Sequence, residues 1–135
     1  MSALVMRRAA AAALTATILF GAASSAAHAE IRDYEFRLVK VEAKKGDAEL
    51  AVRLVNKKSG RPVPNAVIFT KRIDMAPDGM ETMASPIEQL PPTEPGIYRF
   101  KTNLSMQGRW QLSLGAKIEG EYGTVASKLV VTALP

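Results

Sequence analysis

Between residues 34 and 132 apolar side chains recur at every second position in short runs, and clusters of Gly, Pro, Asn, Asp, Ser and Lys separate the runs. A period of two puts alternate side chains on one face of an extended chain, so the pattern predicts half-buried β-strands. Tyr34, Phe36 and Leu38 share one face of a first strand. Lys44-Lys45-Gly46-Asp47 turns into a second, in which Ala48, Leu50, Val52 and Leu54 alternate with Glu49 and Arg53, and the pair is expected to form a hairpin. After the turn Asn56–Gly60, Pro62 and Pro64 lead into a third strand from Ala66 to about Ile73, and a short fourth covers Ile87 to Leu90. Pro95-Gly96 turns into Ile97–Lys101, where Tyr98 and Phe100 share a face. Trp110, Leu112, Leu114, Ala116 and Ile118 then follow at a strict spacing of two, and Ser127 to Thr132 forms the last strand. About seven strands with no amphipathic helical stretch predict an all-β, immunoglobulin-like antiparallel β-sandwich.

The N-terminus follows a different pattern. Arg7 and Arg8 precede an almost unbroken run of small and apolar residues from Ala9 to Phe20, and Ala27-His28-Ala29 ends the segment. A basic start, an apolar centre and an A-x-A site define a cleavable, helical signal peptide, residues 1–29, followed by a mature domain, residues 30–135. Arg7-Arg8 is followed by Ala9-Ala10 rather than by a bulky apolar pair, which favours the general secretory route. The apolar run is too short for a comfortable bilayer span, so no stable membrane insertion is expected after cleavage and the mature protein is expected in the periplasm. The alanine-rich run should be helical and make few contacts with the sandwich.

Cleavage changes the chemistry that remains. Removing residues 1–29 from the 135 leaves 106, the size of one domain, with 16 basic and 13 acidic residues. That balance describes a solvated surface and predicts no nucleic-acid partner. The single histidine, His28, leaves with the leader, and the chain has no cysteine. The commonest general base, the thiol nucleophile and the usual zinc ligands are therefore missing together, and no remaining pair has a nucleophile–base arrangement. The domain is not expected to be an enzyme.

Methionine is the distinctive residue. Of six, Met1 and Met6 lie in the leader; Met75, Met80 and Met83 fall in the segment Asp74–Met83, which Pro77 and Gly79 mark as a loop, and Met106 falls in the turn Ser105–Gly108. A thioether is a soft, uncharged donor that suits Cu(I) and holds hard cations poorly. Met75, Met80, Met83 and Met106 are therefore candidate metal ligands, with copper as Cu(I) the implied ion and Trp110 a candidate cation–π cap over it. Methionine also fills irregular gaps and lines adaptable docking surfaces, and Trp110 opens the best-patterned strand, so gap-filling methionines and a core tryptophan are the competing expectation. The spacing of Asp74, Asp78 and Glu81 is not that of a calcium loop. If successive strands alternate in direction, and residues 87–90 cross the sheet, the Met106 turn should emerge beside the Met75–Met83 segment.

The runs Ile73-Asp74-Met75-Ala76-Pro77-Asp78-Gly79-Met80, Pro95-Gly96-Ile97-Tyr98-Arg99-Phe100 and Leu104-Ser105-Met106-Gln107-Gly108-Arg109-Trp110, with Gly60-Arg61-Pro62-Val63, resemble the FixH/YtkA-like domain family. The resemblance implies a small immunoglobulin-type domain of the bacterial envelope linked with copper handling, heavy-metal efflux or assembly of haem–copper oxidases. It places the family's methionines on Met75, Met80 and Met106, with Met83 an additional candidate. FixH itself is membrane-anchored, whereas this chain carries a cleavable leader. A soluble periplasmic copper-binding protein, either a Cu(I) chaperone or a sequestration or efflux accessory, is the expected function, its partner an envelope efflux complex or a cuproprotein client. The alternative is an accessory or assembly module that docks on such a complex without binding metal.

Overall fold

The computed structural model describes residues 30–135; the signal-peptide reading of residues 1–29 lies outside the described residues. Nine strands follow a one-turn 3-10 helix at Ile31–Asp33: β1 Tyr34–Leu38, β2 Glu42–Lys44, β3 Gly46–Asn56, β4 Val67–Met75, β5 Met80–Ser85, β6 Ile87–Leu90, β7 Ile97–Leu104, β8 Gly108–Lys117 and β9 Val125–Leu134. They form two sheets, β1-β3-β7-β6 and β2-β9-β8-β4-β5. Packed face to face, the sheets make an all-β, immunoglobulin-like sandwich. Among the described residues no helix is long and apolar enough to cross a membrane.

Alternation explains the core. Trp110, Leu112, Leu114 and Ala116 on β8 are all buried, and from the opposite sheet Val52, Leu54, Phe100 and Leu104 meet them without exposed surface. Phe36 and Tyr98 pack edge to face within the four-stranded sheet, ring centroids 6.3 Å apart. The Tyr98 hydroxyl donates to the Val63 carbonyl at 2.7 Å and accepts from the Ala66 amide at 3.0 Å, so a core side chain anchors the proline-rich entry to β4.

Two strands exceed the expected seven. The β1–β3 pairing forms as anticipated, Leu38 opposite Val52 and Tyr34 opposite Asn56. The connection is not a simple hairpin, because β2 crosses to the other sheet and runs parallel to β9. Only three residues long, β2 has no apolar pattern to announce it; its backbone pairing defines it. The second addition is β5, which pairs with the end of β4 and turns most of the expected Asp74–Met83 loop into a hairpin.

Candidate metal centre

At the end of β4 the chain reverses within one 3-10 turn, Ala76–Asp78, with Pro77 in its first positions and Gly79 left-handed at φ 76°. Asp74 holds this turn: one carboxylate oxygen accepts from the Ala76 amide at 2.9 Å and the other from Arg72 Nε at 2.7 Å. Arg72 also donates to the Glu81 carbonyl at 2.9 Å, tying β5 back to β4. The ladder steps from Asp74 opposite Ala84 to Met75 opposite Met80, so Glu81–Met83 bulge between two paired ends.

A second ion pair joins this hairpin to the turn before β8. Asp78 accepts from the backbone amide of Arg109 and from its Nε, both at 2.8 Å, while another guanidinium nitrogen donates to the Pro77 carbonyl at 2.8 Å. These donors hold the Asp78 carboxyl below the ordinary value of 3.8, the backbone hydrogen bond being the largest cause. The approach is close: at Gly108, φ 137°, an added Cβ would lie 2.6 Å from Asp78 Oδ2 and 2.7 Å from the Met75 methyl. Trp110 Nε1 donates to the Met106 carbonyl at 3.0 Å, fixing the same turn from inside.

The four candidate methionines therefore sit on segments fastened together, but in different surroundings. Met75 is not in a loop: it ends β4, fully buried in the core. Met80 starts β5 half-buried against that core, Met83 is 36% exposed in the bulge, and Met106 is 40% exposed in its turn. The loop reading of Asp74–Met83 thus shrinks to residues 76–79, because Asp74 and Gly79 close the reversal in a single turn. The two turns meet because β4 and β8 are antiparallel neighbours, Asp74 opposite Gln111, which sets the end of one beside the start of the other. Residues 87–90 do form a strand, but β6 lies in the other sheet and plays no part in that meeting. Trp110 is fully buried in the core and spends its N–H on Met106. The sequence offers Asp78 only as a hard-cation candidate with the wrong spacing, and nothing pairs it with Arg109: 31 residues separate the two with no periodicity to link them.

Among the described residues no three His, Cys, Asp or Glu side chains gather as a metal-binding group.

Two turns locked at one end, with methionines near both, belong to a small all-β, immunoglobulin-like sandwich domain. The chain matches the YtkA-like family over residues 28–115 and belongs to it. No curated protein matches it. Of solved structures, it is similar to the Lin-41 filamin domain at 14% identity and TM-score 0.43, over 73% of this chain and 91% of that one. It is also similar to the ZirS C-terminal domain at 12% identity and TM-score 0.46, over 94% of this chain and 85% of that one.

Proposed function

We propose that this chain is a non-catalytic, Cu(I)-binding protein of the bacterial periplasm that sequesters copper or passes it to an envelope partner. Met80, Met83 and Met106 are the accessible donors, with Met75 behind them. The observation that carries this reading is the clamp from Arg109 to Asp78 and Pro77, which holds two methionine-bearing turns against each other. Cu(I), the cargo, prefers soft neutral sulfur, and thioethers offer it without a thiol that could oxidise to a disulfide. A thioether carries no proton at any ordinary pH, so capture would not compete with protonation as it does at a histidine or thiolate site. The resemblance to FixH/YtkA-like domains supports a copper role, and the leader-like residues 1–29 support export.

Anaerobic titration of the protein against a competing Cu(I) chelator tests the proposal. One Cu(I) should bind per chain, and combined Met80→Leu, Met83→Leu and Met106→Leu changes, which keep bulk while removing sulfur, should abolish binding. No binding by the wild type, or undiminished binding by the triple variant, overturns the assignment.

A further inference from the structure

The two outer faces of the sandwich differ in kind. The four-stranded face carries cross-strand polar pairs, Arg99 to Glu49 and Asn103 to Asp47, each at 2.8 Å. On the five-stranded side, Val67 is 65% exposed and Phe69 57% exposed, side by side on β4. Phe69 sits at a register shift between Ile68 and Thr70, and its ring lies 3.3 Å from where a Cβ on Gly115 would be. The ring therefore covers bare backbone and separates two hollows. One, about 1030 Å³, is lined by Val67, Phe69 and the almost fully exposed Tyr122; the other, about 510 Å³, by Gly115, Ala126 and Lys128.

The backbone beside this groove is equally unpartnered. β5 pairs only with Ile73, Asp74 and Met75, while β8 pairs with β4 from Val67 onward. Among the described residues, the edge of β4 opposite β8 has no strand beside it from Val67 to Arg72. Such an edge presents a row of amides and carbonyls that an extended chain can satisfy, whereas a helix face or lipid cannot. Charge narrows the partner further. Lys117 and Lys128 line these hollows, are exposed and make no ion pair among the described residues. The acids, Glu119 and Glu121, line only the hollow beside Tyr122, and Glu121 already accepts from the Tyr34 hydroxyl at 2.7 Å.

We propose that the free edge of β4, with the Val67–Phe69 groove beside it, docks an extended segment of a partner protein. That segment places apolar side chains by Tyr122 and Phe69 and an acidic residue towards Lys128. This surface is independent of the methionine turns, so docking does not require copper.

The test selects binders to the full chain from a displayed library of random short peptides, without added metal. Enriched sequences should combine apolar residues with Asp or Glu. A synthetic copy of one should slow amide exchange along Val67–Arg72 and lose at least about tenfold in affinity to Phe69→Lys. Lys128→Glu, a surface change that leaves the core intact, should weaken binding and remove its salt dependence. Equal enrichment on Phe69→Lys, protection confined to another strand, or selection of basic peptides each overturns the proposal. So does concentration-dependent dimerisation abolished by Phe69→Lys, which makes a second copy the occupant. Binding of the wild type, but not of that variant, to vesicles of anionic phospholipid makes it a lipid surface instead.

Discussion

Arg109 wraps Asp78 with its own backbone amide and its guanidinium, so a single residue joins the start of β8 to the turn between β4 and β5. Both side chains are partly exposed, 58% and 25%, and in such a setting an ion pair contributes modestly to folding. Its consequence lies in position. Without it the turns near Met80 and Met106 keep only the hydrogen bond from the Arg109 amide to Asp78 as a direct tie, with Trp110 still holding the Met106 carbonyl.

Arg109→Ala should therefore lower the thermal midpoint only slightly while weakening Cu(I) binding by about 10–100-fold, the range seen when groups that orient metal ligands are removed. Both changes leave the backbone donor in place; Arg109→Lys also keeps a cation but loses the fork, and should recover part of the affinity. Chelator competition read beside near-ultraviolet circular dichroism of Trp110 separates loss of the site from loss of the fold. Unchanged affinity in the alanine variant would show that the clamp does not organise the donors.

The methionines should divide by burial. Met83→Leu and Met106→Leu alter exposed side chains and should shift unfolding stability by no more than about 0.5 kcal/mol. Met75→Ala opens a cavity in the core and should cost about 2–5 kcal/mol, whereas Met75→Leu should cost less than about 1.5 kcal/mol. Urea unfolding of the four variants reads the ranking directly. A cost for Met106→Leu matching that for Met75→Ala would contradict the surface placement of the turn.

What could be read from the sequence depended on whether burial left a one-dimensional trace. The alternation from Trp110 to Ile118 did, because one side of β8 meets the core and the other does not, and the strand lies where the period put it. β6 at Ile87–Leu90 was legible to the residue. β5 left no such trace: an edge strand reading Met-Glu-Thr-Met-Ala-Ser has no strongly apolar side, and Pro77 with Gly79 argued for a longer loop. Phe69 was hidden by its bulge, which puts a strand aromatic onto the solvent face against the alternation. The donor residues of the candidate site were visible as residue types, but the Asp78–Arg109 clamp that gathers them is a tertiary contact.

Alkaline pH should loosen the other end of the domain. Burial and the hydrogen bond to Glu121 raise the Tyr34 hydroxyl from 10.0 to about 12. Because the folded value lies above the unfolded one, this contribution is complete below pH 10 and is lost as pH rises through about 12. Stability of the wild type should fall across that window more steeply than that of Tyr34→Phe, which has no hydroxyl to ionise there. Guanidinium midpoints from pH 9 to 12 test this, and parallel curves for the two proteins would refute it.

Gly108 concentrates the constraints on the proposed site in one position. Its φ of 137° is one that L-residues rarely adopt, and an added methyl would fall 2.6 Å from the Asp78 carboxylate and 2.7 Å from the Met75 methyl. Gly120 is the natural control: at φ 85° it has a similar backbone demand, but an added Cβ there meets nothing within 4 Å. Gly120→Ala should cost about 1–2 kcal/mol from conformation alone. Gly108→Ala carries that cost and adds the work of pushing apart the two turns, about 1–3 kcal/mol by the scale of overpacked sites. The steric part should be partly relieved by Met75→Ala, because removing the thioether opens the space that the new methyl needs. A double-mutant cycle in urea should therefore show favourable coupling between positions 108 and 75, and none between 120 and 75. Should Gly108→Ala cost no more than Gly120→Ala, the two methionine-bearing turns are not in the tight contact that this geometry requires.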